Sequence, residues 1–326
     1  MRPRSKGPLL LALVGGGLLL GLVPALHRVL PSAANADAAE AAKPEAVIPD
    51  AIPSPRTYPR LSLDPAQLAE QLARVESALR DPATNPADLG ALGHQEQVII
   101  RLLARQPELA QQVRVNLPER WRPLLDRHLA ARREFQAMQR GRPGSPLVPA
   151  WRIIPPEPPE RLLGYYRKAQ AATGIPWEVL AAINLVETGM GRIDGISVAD
   201  ARGPMQFLPT TWAERGIGAG DIRDPHDAIQ AAARYLVRRG GPKDLPKAIW
   251  GYNNSDHYVR GVLGYAALLR EDPAAFTGLY NWEIHFISSA GDLWLPVGYE
   301  QRQRIPVNAY LQRVPSSAPP RPSAAG

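Results

Sequence analysis

Apolar residues recur at helical spacing over most of this chain and alternate only near its C-terminal end. In "DPAQLAEQLARVESALR", Leu68, Leu72, Val75 and Leu79 share one helical face, with Asp64 as N-cap and Pro65 at the first helical position. "EQVIIRLLARQPELAQQVRVNL" and "RWRPLLDRHLAARREFQAM" continue in the same style, their charges reading as a solvated face and no catalytic pattern among them. The Pro/Gly-rich "RGRPGSPLVPAWRIIPPEPPE" then interrupts, either as a linker or as a strap along the following unit. Beyond it, short helices are expected from Pro158 to Thr173, from Pro176 to Thr188, after Asp224-Pro225, from Leu245 to Tyr252, and from Ser255 onward. The last of these places Tyr258, Val262, Tyr265 and Leu269 on one stripe. After Pro273 the period changes: Tyr280, Trp282, Ile284 and Phe286 alternate with more polar neighbours, and "DLWLPVGY" follows the turn-like "SSAGD", as in a β-hairpin.

The N-terminus differs from everything after it. Arg2, Arg4 and Lys6 precede the uncharged "GPLLLALVGGGLLLGLVPAL", which is long enough to span a bilayer with its basic end in the cytoplasm. A signal peptide cleaved at Ala34-Asn35-Ala36 is the competing reading; the length of the apolar run favours a retained anchor. Either way the rest of the chain is exported, to the outer face of the cytoplasmic membrane, the periplasm or the cell-wall space. The 326 residues contain no cysteine, which excludes disulfides, thiol catalysis, cysteine-ligated metals and a lipoprotein anchor. A net charge of +7 without interleaved basic and aromatic residues fits an anionic cell-surface setting better than nucleic acid. The expected organisation is an anchor or signal peptide (1–36), a disordered tether (37–60), a helical accessory segment (61–140), a connector (141–157), a helical domain (158–272), a hairpin extension (273–313) and a disordered tail (314–326).

One acid sits where acids are costly. In "INLVETGMGRI", a helix ending at Gly189 puts Leu180, Ile183, Asn184 and Glu187 on one face, so the Glu187 carboxyl points to the apolar side in the last turn. Desolvation and the negative end of the helix dipole both favour its neutral form, which is what a general acid requires. A partly exposed helix end would show the same pattern.

The segments around it carry a resemblance. Glu187-Thr188 ending a helix, Ser197 opening a loop, Gly203-Pro204-Met205-Gln206 closing it, and Gly251-Tyr252-Asn253 later occur in that order. This set resembles the catalytic domain of the soluble lytic transglycosylases, a branch of the lysozyme-like superfamily, over roughly residues 158 to 271. The resemblance implies a mainly α, lysozyme-like fold. It implies Glu187 as sole catalytic acid and base, with Tyr252 as the hydroxyl orienting it, a core tyrosine being that residue's alternative. Gln206 and Ser197 would contact the sugar near its N-acetyl group, with Gly203, Met205, Leu208 and Asn253 shaping the binding wall. Met205 and Phe207 have ordinary core packing as their alternative, and Asn253 has helix capping. Pro204 in place of the usual Leu, Asp200 where Gly is common, and Gly251 in place of Ala are departures that remove no catalytic group.

The implied reaction cleaves the β-1,4 bond between N-acetylmuramic acid and N-acetylglucosamine and closes a 1,6-anhydro ring. It needs no cofactor or metal; the six histidines show no ligand spacing, and His226, His257 and His285 read as surface or structural. The expected partners are peptidoglycan strands and, through the N-terminus, the membrane, for a monomer with no nucleic-acid role. A hydrolytic muramidase would need a second acid, for which Asp194 and Asp200 follow Glu187 closely enough to be candidates, though both also read as turn residues. A non-catalytic peptidoglycan clamp is the other rival. Trp282, Trp294 and Tyr299 either extend a sugar groove or simply pack.

Overall fold

The computed structural model of the protein describes residues 57–320 apart from Val198. The expected anchor or signal segment and most of the expected tether lie outside the described residues, as do residues 321–326. No helix among the described residues is long and apolar enough to cross a membrane.

Four helices come first: α1 (Pro65–Arg80), α2 (Pro86–Arg105), α3 (Pro107–Asn116) and α4 (Arg122–Gln139). Two short strands, β1 (Leu147–Val148) and β2 (Arg152–Ile153), lead into α5 (Pro159–Thr173) and α6 (Trp177–Thr188). Then follow β3 (Ile193–Asp194), α7 (Pro209–Trp212), α8 (Pro225–Arg238), α9 (Leu245–Tyr252) and α10 (Asp256–Glu271). The chain continues through α11 (Ala275–Tyr280), β4 (Ile284–Ser288), β5 (Gly291–Leu295), β6 (Ile305–Pro306) and α12 (Val307–Arg313). Helix starts obey their local chemistry. Asp64 accepts from Gln67 N at 2.9 Å, Asp224 from Asp227 N at 2.9 Å, and Ser255 from Tyr258 N at 3.3 Å. In the first two, a proline follows at the first helical position, where its missing N–H costs nothing.

α6 is the centre of the fold. Every residue from Val179 to Thr188 is buried, so the helix is enclosed all round rather than amphipathic. Residues of α5, α8, α9 and α10 complete the main core around it. A second core, with Leu68, Leu72, Ile99 and Leu103, lies among the N-terminal helices. α4 serves both: Leu125 and Leu129 enter the N-terminal core, while Leu124, Ala131 and Phe135 enter the main one. Its approach to α10 depends on Gly261, where a Cβ would stand 2.5 Å from the Phe135 ring.

The interval 141–157 is a strap rather than a free linker. β1 pairs with β6 (Leu147↔Pro306) and β2 with β3 (Ile153↔Ile193), both antiparallel. The hairpin β4–β5 packs on this strap in a third core with Trp151, Ile153, Phe286 and Leu295.

Several expectations need correction. The helical period runs on past Pro273 into α11, so Tyr280 and Trp282 precede the hairpin. Within the hairpin both faces are covered: His285 is buried and meets His94 Nε2 at 3.0 Å through its own Nε2. Residues 57–60 are not tether-like throughout, because Tyr58 is buried edge-on to His94 and His285. At the other end, the Ser317 hydroxyl is buried 2.8 Å from that of Tyr310, so the start of the expected tail is packed. The accessory helices also bury charge that reads as solvated in sequence: Glu76, Glu96, Arg101, His128 and Arg132 are all enclosed. Arg101 explains itself by pairing with Asp292 of β5, Nε to Oδ2 at 2.8 Å.

Candidate active site

Gly189 stops α6 by turning left-handed at φ 61°, and its N–H together with that of Met190 closes on the carbonyls of Leu185 and Asn184. Glu187 therefore stands in the final turn, fully enclosed. Its two oxygens differ. Oε1 accepts a hydrogen bond from the Tyr258 hydroxyl at 2.5 Å, whereas Oε2 is buried with no hydrogen-bond partner. Burial pushes the carboxyl well above its ordinary range, and the single bond from Tyr258 only partly opposes this. The phenols of Tyr252 and Tyr258 are also raised well above theirs, by burial first and then by the nearby Glu187 carboxylate, so both stay protonated donors.

The loop from 203 to 206 is clamped to the end of α6. Thr188 Oγ1 and Asn184 Nδ2 both donate to the Pro204 carbonyl, at 2.6 and 2.8 Å, while Tyr166 holds Asn184 Oδ1 at 2.6 Å. The Tyr252 hydroxyl donates to the next carbonyl, that of Met205, at 2.6 Å. Gly203, at φ 71°, is obligatory because a Cβ would run into the Ile222 carbonyl. Among the described residues, Met190, Asp200 and Gln206 are the non-glycine residues with positive φ, and all three flank this site. Strain of that kind concentrates where function fixes the backbone.

The structure redistributes the expected roles. Tyr252 is not the phenol that orients Glu187; its hydroxyl is committed to the loop, and Tyr258 of α10 makes that bond instead. Tyr258 reads in sequence as a member of a core stripe, and the one available signal was its hydroxyl, since a buried tyrosine on such a stripe needs an acceptor. Ser197 Oγ accepts from the backbone N–H groups of Ala199 and Ala201, holding its own loop. Gln206 is buried and its Nε2 donates to the Gly203 carbonyl at 2.9 Å. Met205 and Phe207 are core residues, and Leu208 is the partly buried N-cap of α7. Asn253 follows α9 and is buried, with its Nδ2 left unpartnered.

The candidate second acids are engaged elsewhere. Asp194 pairs with Arg152 at 2.6 Å and Asp200 with Arg202 at 3.0 Å, both at partly exposed positions. The aromatic residues considered for a sugar groove pack inside instead. Trp282 Nε1 donates to Glu96 Oε2 at 2.7 Å, Trp294 Nε1 to Glu283 Oε2 at 3.3 Å, and the Tyr299 hydroxyl to the Pro149 carbonyl at 2.5 Å.

Comparison with known proteins agrees with this architecture. Residues 164–270 match the family model described as Transglycosylase SLT domain. No curated protein and no solved structure matches the chain. The match runs from α5 through α10 and so takes in both Glu187 and Tyr258. The helical unit built around α6 therefore resembles a transglycosylase SLT domain, a lysozyme-like helical fold.

Proposed function

We propose that the protein is a peptidoglycan lytic transglycosylase that cleaves the β-1,4 bond between N-acetylmuramic acid and N-acetylglucosamine and leaves 1,6-anhydromuramoyl ends. The observation that carries this reading is the asymmetry of Glu187: one oxygen held by Tyr258, the other buried and unpartnered on a carboxyl kept neutral by burial. A protonated Oε2 donates to the glycosidic oxygen, and the bond to C1 breaks as that proton arrives. The substrate's own acetamide stabilises the positive charge at C1. Tyr258 then stabilises the carboxylate left behind, which removes the proton from the muramoyl C6 hydroxyl as that oxygen closes on C1. The proton returns to Glu187 and no water is consumed.

Glu187 has no solvent-exposed surface, so a sugar reaches Oε2 only by displacing side chains that enclose it. Gln206, Ser197, Gly203, Met205, Leu208 and Asn253 are the proposed binding wall. Within it, the free Nδ2 of Asn253 and the remaining amide valences of Gln206 are the polar contacts, whereas Met205 contributes shape. The arginine pairing of Asp194 and Asp200 favours the one-acid route over hydrolysis, which needs a carboxylate free to position water. Peptidoglycan as substrate places the work outside the cytoplasm, in keeping with the N-terminal segment read as an anchor or signal.

The test is release of soluble glycan from purified peptidoglycan by the wild-type protein and by Glu187→Gln. Release by the wild type alone supports the reading. Equal release by both transfers the chemistry to another residue, and binding without release by the wild type makes the protein a clamp.

A further inference from the structure

One interior point outside the candidate active site gathers titratable groups from three helices. Glu76 of α1, Glu96 of α2 and His128 of α4 are fully buried, and one ligand-type atom from each lies within 4.8 Å of the other two. Each carboxylate is held from outside by one oxygen. Arg80 Nη1 donates to Glu76 Oε2 at 2.6 Å, and Trp282 Nε1 donates to Glu96 Oε2 at 2.7 Å. The inner oxygens, Glu76 Oε1 and Glu96 Oε1, have no hydrogen-bond partner, and neither has either ring nitrogen of His128. Several orphaned polar atoms converging on one dry point is an expensive arrangement, since each has given up its water without gaining a partner.

We propose that this point is a binding site for a divalent transition metal of the zinc class, with Glu76 Oε1, Glu96 Oε1 and His128 Nε2 as its protein ligands. Ligand atoms about 2.0–2.2 Å from a tetrahedral ion stand roughly 3.4 Å from one another. His128 Nε2 and Glu96 Oε1 are 3.5 Å apart, in an orientation that makes no hydrogen bond between them. With both protons displaced, two carboxylates would balance the charge of a dication. Arg80 and Trp282 act as the outer donors that aim first-contact ligands at a metal. Calcium and magnesium fit poorly, because they require about six or more oxygens and two carboxylates do not supply them. Gly278 of α11 completes the pocket, since a Cβ there would run into Glu96 Oε2. The ion would join α1, α2 and α4 where Trp282 and, through Arg80, Asp272 fasten them to the transglycosylase unit. Sequence spacing gives no hint of it, because the three ligands come from three separate helices.

The test uses the untagged full chain in detergent, loaded with Zn2+ and dialysed against metal-free buffer, with elemental analysis and thermal unfolding in the presence and absence of chelator. The site predicts about one Zn2+ per chain and a melting temperature that falls on chelation. Glu76→Gln/Glu96→Gln, which preserves shape, should lower bound Zn2+ by at least roughly tenfold. If the wild type retains no metal, the two carboxyl groups merely share a proton and the proposal fails. It fails also if the double variant retains as much, which would place the ion at the partly exposed Asp224, His226 and Asp227 group. Should the double variant not fold, Trp282→Phe removes the outer donor together with part of the ring beside His128 and should weaken Zn2+ binding by about 10–100-fold. Unchanged affinity in that variant overturns the proposal.

Discussion

Tyr258→Phe removes one oxygen atom and separates the two tyrosines near Glu187. In the wild type the Tyr258 hydroxyl donates to Oε1 at 2.5 Å, and it is the hydrogen bond that opposes the burial of the carboxyl group. While Glu187 is protonated this bond is an ordinary one; once the proton has moved to the glycosidic oxygen it becomes a bond to a charged acceptor in a dry site. Hydrogen bonds to charged groups contribute about 1.5–3 kcal/mol. Only the gain over the ordinary bond already present, about 1–1.5 kcal/mol, enters the barrier, so at about 1.36 kcal/mol per tenfold losing it should lower kcat by roughly 5- to 13-fold. KM should change little, because the bond strengthens only as charge develops. Tyr252→Phe is the control: it leaves the buried Met205 carbonyl without its donor and should cost about 1–3 kcal/mol of stability. The folded fraction of that control should keep most of its kcat. Initial rates of muropeptide release at saturating peptidoglycan, with thermal melts of each variant, decide the matter. A Tyr258→Phe enzyme within about twofold of wild-type kcat, or a larger kcat loss in Tyr252→Phe, would refute the assignment.

Other perturbations follow from the same geometry. Glu187→Gln should be more stable than wild type at neutral and alkaline pH. With the folded carboxyl raised above 4.5 by burial, the unfolded chain ionises first, so wild-type stability declines as pH climbs from that value; glutamine has no such dependence, and melting curves from acid to alkaline pH should diverge accordingly. Phe135→Ala should cost about 3–5 kcal/mol and also lower kcat, because the ring packs edge-on to Tyr258 with centroids 6.3 Å apart; unchanged kcat in the folded fraction would uncouple α4 from the site. Gly203→Ala should destabilise by more than the roughly 1–2 kcal/mol of a left-handed residue alone, as its Cβ meets the Ile222 carbonyl; denaturant titration measures this. Arg101→Met takes from the buried Asp292 its closer arginine, leaving Arg105 at 3.3 Å, and should cost about 3 kcal/mol. Burial alone would raise that carboxyl, but Arg101 and His285 outweigh it and hold it well below its ordinary 3.8. The pair's contribution is therefore full above that value and lost as pH falls below it, so the wild type's advantage over the variant should shrink in acid.

Much of this arrangement is legible in the chain, for local reasons. Asp64-Pro65, Asp224-Pro225 and Ser255 announce helix starts because a cap acts on N–H groups two or three residues away. Gly189 announces the stop after Glu187 in the same way. The succession of helices follows from periodicity, whereas the lysozyme-like class is what the resemblance implies. What the sequence hides is pairing across distance. Tyr258 reaches Glu187 from 71 positions away, and Trp282 reaches Glu96 from 186. The buried charges of α1, α2 and α4 look solvated because their partners lie on other helices or on the hairpin. The alternating pattern after Pro273 misleads for a similar reason, since His285 is polar yet faces His94 inside. Tyr252 fits its place in the resemblance, but only the structure shows which acceptor its hydroxyl takes.

The central claim is that Glu187 acts alone as acid and then base, and the identity of the product tests it most directly. Mass spectrometry of muropeptides released by the wild-type protein should find 1,6-anhydro ends, lighter by one water than the hydrolytic product, with release abolished in Glu187→Gln. Reducing ends from the wild type would mean that water is activated by a second group, and would contradict the account.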